Sequence, residues 1–258
     1  MFNAAKLFST FLIGTSVFML VSCGSDDKSS NNSFQDHQEQ QQDDQGIYRA
    51  VLKPLNFSVA GDATGTVEIR VKGDDVIVES NVIGTHSGVK HLQNIMTGTA
   101  CPDATSDLNN DSVVDFKETM PSAGSILIPL DSNLAEQLGG IEYGPIANSS
   151  GTFSYRRSAS LTDLLSDLRA PDPDPVDVIE KLPLGDQLNL SGKVVVIHGV
   201  RNNSGLTETV SSMRDLSPEQ SLPVACGKLV RISNEENETS SETEAPEEEV
   251  PSSSDTEV

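Results

Sequence analysis

The chain has 258 residues, a formal charge of −22 and a pI near 4.3. Binding to phosphate backbones needs a basic face, and the sequence has none, so nucleic acid is excluded as a partner. The acid is unevenly spread. Residues 235–258 carry ten acidic side chains and no basic one, residues 24–46 a net −5, and the stretch between, 47–233, only about −8. Charge gathered in tails in this way reads as solvated, self-repelling chain.

In chain order, Lys6 is followed by a mostly apolar run over residues 7–21, too short for a comfortable membrane span and shaped like a secretory signal. It ends in Leu20-Val21-Ser22-Cys23, which resembles the lipobox of bacterial lipoproteins. That resemblance implies a signal peptide over residues 1–22 and an acylated Cys23 as the new N-terminus. Two or three acyl chains on one residue would hold the protein to a lipid bilayer, where a single chain holds only marginally. Gly24 and Ser25 follow, with no aspartate directly after the cysteine, which resembles outer-membrane or cell-surface sorting. Residues 23–46 are rich in Ser, Asn, Gln and Asp and form an expected disordered tether, in which His37 is simply solvated.

At residue 47 the pattern changes to alternation. Tyr48, Ala50 and Leu52 share a face up to Pro54. Residues 64–71 and 76–82 alternate on either side of Gly73-Asp74-Asp75, which predicts a β-hairpin. Residues 89–96 are a third strand candidate, and 125–130 a short one placed at a sheet edge by Pro129. Residues 152–160, the β-branched run 193–200, and 224–233 complete the set. Leu161, Leu164, Leu165 and Leu168 lie at helical spacing behind Ser160 or Thr162 as a cap, and residues 131–138 could form a turn or two. Prolines and aspartates alternating over 171–177 form a stiff acidic connector, and residues 234–258 a disordered acidic tail. Short strands separated by turn signals predict one all-β domain over 47–233, an antiparallel Greek-key sandwich or barrel with one or two short helices.

Setting Cys23 aside leaves Cys101 and Cys226. In an exported protein an even pair predicts a disulfide.

Residues 107–118 carry oxygen donors at calcium-loop spacing: Asp107, Asn109, Asp111, the Val113 carbonyl, Asp115, and Glu118 in the place of the bidentate ligand. The match resembles EF-hand and dockerin loops. Val114 fills the apolar position that ties such loops to a core. Ser112 stands where glycine normally makes the sharp turn, at an expected strain of about 1–2 kcal/mol. Cys101-Pro102 before and Pro121 after argue against long flanking helices, so the loop reads as an insertion in a β protein with weakly held structural calcium.

The hairpin, Gly88-Val89-Lys90-His91, Cys101, the strand Val194-Val195-Val196-Ile197-His198 and Val224-Ala225-Cys226-Gly227 together resemble the Cu/Zn superoxide dismutase fold and its bacterial lipoprotein and chordin-type relatives. The resemblance covers roughly residues 64–101 and 193–232. It implies a copper ligand at His198 and a Cys101–Cys226 bridge. The departures weigh against redox chemistry. The paired histidines of the family fall on Asn94-Ile95-Met96 or on His91-Leu92-Gln93. No His-rich zinc loop follows Cys101, and the family's arginine before the last cysteine falls at Pro223. Redox copper takes about four nitrogen donors, and with His37 in the tether, His86, His91 and His198 are at most what the domain offers it. No catalytic residue is assigned, because no nucleophile elbow, phosphate loop, paired-cysteine or His-Glu-x-x-His motif is present. The expectation is a non-catalytic tethered domain holding calcium in preference to copper or zinc. The alternatives are a dismutase-type metalloenzyme, with a residual site at His91 and His198, or a copper-handling protein using His91, Met96 and His198.

Overall fold

The computed structural model describes residues 45–136, 143–170 and 179–232. The lipobox, nearly all of the tether, the acidic connector and the acidic tail lie outside the described residues. Nine strands carry the body: β1 (Gly46–Pro54), β2 (Thr64–Lys72), β3 (Asp75–Ile83), β4 (Leu92–Met96), β5 (Ile126–Pro129), β6 (Phe153–Ser160), β7 (Val194–His198), β8 (Pro223–Lys228) and β9 (Val230–Ile232). Two eight-residue helices, α2 (Phe116–Ala123) and α3 (Leu161–Leu168), join two single turns, α1 (Phe57–Ala60) and α4 (Pro218–Ser221).

The spatial order is β5-β4-β7-β8-β1-β2-β3-β6, with β9 continuing alongside β1. Every pairing between strands is antiparallel. A single parallel bridge joins Ile126 to Ile179. β3 is followed in sequence by β4, which lies far along the sheet, and β6 by β7. Such long returns past intervening strands are Greek-key connections. The fold is thus the expected antiparallel barrel or sandwich.

Alternation decides the inside. β1 turns Tyr48, Ala50 and Leu52 inward and Arg49, Val51 and Lys53 outward. The β2–β3 hairpin buries Val67, Ile69, Val71, Val76, Val78 and Val82 beside them. β7 is buried at every position because both of its faces are covered. Val195 and Ile197 join the barrel core, while Val194 and Val196 join a second cluster with Leu92, Met96, Phe116 and Met213. This is why its sequence is an unbroken β-branched run.

β5 and β6 end the sheet path. Their seam is bridged by the Tyr155 hydroxyl, which donates to the Asp131 carbonyl at 2.8 Å. α3 plugs the barrel beside the β2–β3 turn. Ser160 caps it through the Asp163 N–H, Thr162 donates N–H and O–H to Asp74, and Leu164 and Leu168 enter the core.

The 224–233 strand is divided, with β8 ending at Lys228 and β9 beginning at Val230. The strand sought over 89–96 begins only at Leu92. α2 is an element that the sequence reading passed over, because Pro121 marks a stop in most helices. Here Pro121 lies inside it, and the carbonyl that loses its helical donor belongs to exposed Lys117. α2 ends at Gly124, whose φ of +74° and missing Cβ let its backbone pass against Thr97 and Gly98. Among the described residues, no helix is long and apolar enough to cross a membrane.

Candidate functional site

The segment 107–118 folds as a tight cradle made by its own side chains. Asp107 accepts the Asp111 and Ser112 N–H groups at 3.2 and 2.9 Å. Asn109 accepts the Asp111 N–H at 2.9 Å, and Asp111 accepts the Val113 N–H at 3.1 Å. The turn that results drives Asn110 to φ +59° and Ser112 to φ +73°. The left-handed conformation expected at Ser112 is therefore present.

The last two acidic residues serve the exit helix. Asp115 caps α2 by accepting the Glu118 N–H at 2.9 Å, and Glu118 returns a bond from the Asp115 N–H at 3.0 Å. Glu118 also takes the Leu108 and Asn109 N–H groups on its other oxygen, at 2.8 and 3.2 Å.

Three contacts tie the cradle to distant chain. Asn56, itself left-handed at φ +53°, brackets Val114 and also donates to the Pro223 carbonyl. Thr209 donates to Asp111 at 2.6 Å, and Asp115 accepts the Ser211 N–H at 2.7 Å. The Cys101–Cys226 disulfide joins the chain just upstream to β8, with Cα atoms 5.7 Å apart. Burial of Asp111 works to raise its carboxyl pKa, but bonds from Thr209, Val113, Asn109 and Thr207 outweigh it and hold the group below the usual range.

Fit to a hard cation can be judged from these bonds. Each Asp107 oxygen and Asp111 Oδ1 takes one N–H, leaving a lone pair on each. Asn109 Oδ1 and the Val113 carbonyl add neutral oxygens. Glu118, by contrast, has both oxygens engaged by backbone N–H groups. Among the described residues, no three His, Cys, Asp or Glu side chains gather at metal-holding spacing. The oxygens left over are those of two carboxylates, an amide and a carbonyl, a set that would suit calcium only at the weak end of its range, with water completing the shell.

The histidines form a second, buried group. His91 and His198 are fully buried. His91 Nδ1 lies 3.0 Å from the His198 carbonyl, and His198 Nδ1 lies 2.8 Å from the Ser221 carbonyl. A carbonyl can only accept, so both rings carry their proton on Nδ1. Both Nε2 atoms are buried without a partner. Burial, the largest cause, pushes each pKa down to about 4, and each ring is lowered further by a neighbouring histidine, so both are neutral near pH 7. His91 stacks on Phe153 at 5.0 Å between ring centroids, and Phe116 lies tilted against His198 at 6.1 Å. Burial, with the charge of Arg201, also lowers the pKa of partly buried His86.

The sheet register separates Met96 from this pair. Leu92 lies opposite His198 and Met96 opposite Val194, so four steps along the strand, about 13 Å, separate them. His91 and His198 come together; Met96 does not join them.

No family model matches this sequence, and no curated protein is significantly similar to it. The residues that sequence reading missed are Asn56, Thr209 and Ser211. Each is a single polar residue in an irregular stretch, and only contact with the loop gives it meaning.

Proposed function

We propose that this chain is a membrane-tethered extracytoplasmic lipoprotein, anchored through acylated Cys23 after removal of residues 1–22, with a non-catalytic barrel that uses calcium as a structural ion. The observation carrying this reading is that segment 107–118 is bonded to α1, to the 207–211 stretch and to its own exit helix at once. An ion at Asp107, Asn109, Asp111 and the Val113 carbonyl would lock three parts of the surface together. Two carboxylates with an amide and a carbonyl, Glu118 being taken up by backbone N–H groups, suit millimolar extracellular calcium. A strand order of β1-β2-β3-β6 beside β5-β4-β7-β8 supports kinship with dismutase-like barrels, and the loss of paired histidines supports the absence of redox work.

The test is calorimetry and thermal melting with and without calcium. We expect a dissociation constant of roughly 0.1–1 mM. Calcium at ten times that constant should add about 1.4 kcal/mol to stability. Asp107→Ala should remove that increment. Absence of any calcium heat at 10 times the upper limit, or an increment unchanged in Asp107→Ala, would reject the reading.

A second reading rests on the two bare Nε2 atoms of His91 and His198, which are in the tautomer that a soft cation requires. It makes the chain a copper or zinc holder, or a dismutase-type enzyme. Stoichiometric copper or zinc in protein purified without chelator, together with superoxide turnover, would favour it over the first.

A further inference from the structure

A groove of about 980 Å³ runs along the outer face of β1 and the β8–β9 ribbon, walled by α1 and the stretch after Cys101. Two short pairings in the same register build it, Lys53 lying opposite Cys226 and Arg49 opposite Val230. The floor is apolar and open. Val51, Phe57 and Val230 are 63%, 67% and 62% exposed. Three large apolar side chains bared together in one concavity mark a ligand surface, whereas scattered ones do not.

Cations stand among them on a chain of net −22. Arg49 is paired with Glu68 at 2.7 Å, and Arg231 donates to the Gln45 carbonyl at 2.6 Å. Lys53 and Lys228 are exposed and have no ion-pair partner among the described residues. Lys228 lies two residues beyond the partner of Lys53, so the two are diagonal neighbours about 7–8 Å apart on one face. The groove's own acids are turned away from them. Asp103 accepts the Thr105 N–H and hydroxyl, and Asp107 holds its loop.

We propose that this groove binds a long-chain fatty-acid carboxylate, its head between Lys53 and Lys228 and its chain along Val51, Phe57 and Val230. The volume lies in the range of small-molecule sites. Both halves of the ligand are needed: a simple anion leaves the apolar floor bare, and a neutral alkane leaves two ammonium groups unpaired. The chain's own acidic tail is the obvious competitor, since it starts just beyond Ile232 in the groove wall. Its apolar residues are only Ala245, Val250, Val258 and two prolines, too few to cover Phe57 and its neighbours.

The experiment is calorimetric titration of residues 23–258, carrying Cys23→Ser so that no attached acyl chain competes, with dodecanoate below its micelle concentration. Saturable 1:1 binding is expected. The double variant Lys53→Glu/Lys228→Glu should weaken it at least about tenfold, as should Phe57→Ser, which corresponds to about 1.4 kcal/mol. All three positions are exposed, so melting temperatures should stay within a degree or two. Acetate and dodecyltrimethylammonium should not bind. No saturable binding, equal binding of the cationic amphiphile, undiminished binding in the double variant, or binding of a 233–258 peptide in place of dodecanoate would each overturn the proposal.

Discussion

Asn56 and Val114 stand 58 residues apart and clasp each other by both polar groups: Asn56 Nδ2 donates to the Val114 carbonyl at 2.9 Å, and Asn56 Oδ1 accepts the Val114 N–H at 2.7 Å. The same amide donates to the Pro223 carbonyl at 2.9 Å. One side chain therefore replaces a strand partner for the end of the acidic loop and links it to β8.

Replacing that amide should be costly at two levels. Asn56→Ala loses three hydrogen bonds, at about 1 kcal/mol each, and places alanine at φ +53° for about 1 kcal/mol more. Asn56→Gly keeps the backbone relaxed. Urea unfolding should find the alanine variant about 3–4 kcal/mol less stable than wild type, and the glycine variant destabilised by about a kilocalorie less. Equal stabilities for the two would show that the left-handed conformation carries no strain.

Reduction should be a separate and larger loss. The Cys101–Cys226 bridge spans a sequence separation of 125, for which chain entropy gives about 5 kcal/mol. Cys101→Ser/Cys226→Ser should lower the denaturant midpoint by that amount divided by the m-value. A midpoint unchanged by dithiothreitol would mean that the bridge is not formed in the isolated protein.

Acid should destabilise the barrel through its histidines. Both folded-state values, about 4, lie below the ordinary 6.5. The unfolded chain then takes up protons first as pH falls. The stability of keeping both rings neutral is intact above about pH 6.5 and is lost on descent toward pH 4. Between pH 8 and pH 5 each ring accounts for about 2 kcal/mol. His198→Gln or His91→Gln should roughly halve the pH dependence in that window. A slope unaltered by either substitution would place the acid sensitivity elsewhere.

Ser112 offers a gain. It holds φ +73°, and among the described residues its hydroxyl donates no hydrogen bond. Ser112→Gly relieves about 1–2 kcal/mol of strain and returns up to about 1 kcal/mol as unfolded-chain entropy. Melting should show a net stabilisation of about 0.5–1 kcal/mol, and calcium heats should grow rather than shrink. A destabilised variant would mean that the serine is held by something other than tolerance.

Much of the fold was legible because it is local. Alternation placed Tyr48, Ala50 and Leu52 on one face and Val67, Ile69 and Val71 on another, and four leucines at helical spacing placed α3 against the core. Even the left-handed turn at Ser112 followed from the spacing of its acids. α2 was hidden because a proline inside it reads as a stop, and its tolerance depends on Lys117 facing water.

What the sequence by itself determined is the run of strands and the acidic turn, since each depends on side-chain period or on residue types a few positions apart, and the cysteine pair, since only two cysteines remain once Cys23 is set aside. Tertiary structure alone decided what those parts touch. It set Asn56 on Val114 and Ser211 on Asp115, turned Glu118 toward the backbone, buried two imidazoles with bare nitrogens, and placed Val51, Phe57 and Val230 in one groove with two lysines. Most of those contacts join residues tens to more than a hundred positions apart, and no local preference specifies which distant groups a curled sheet will bring face to face.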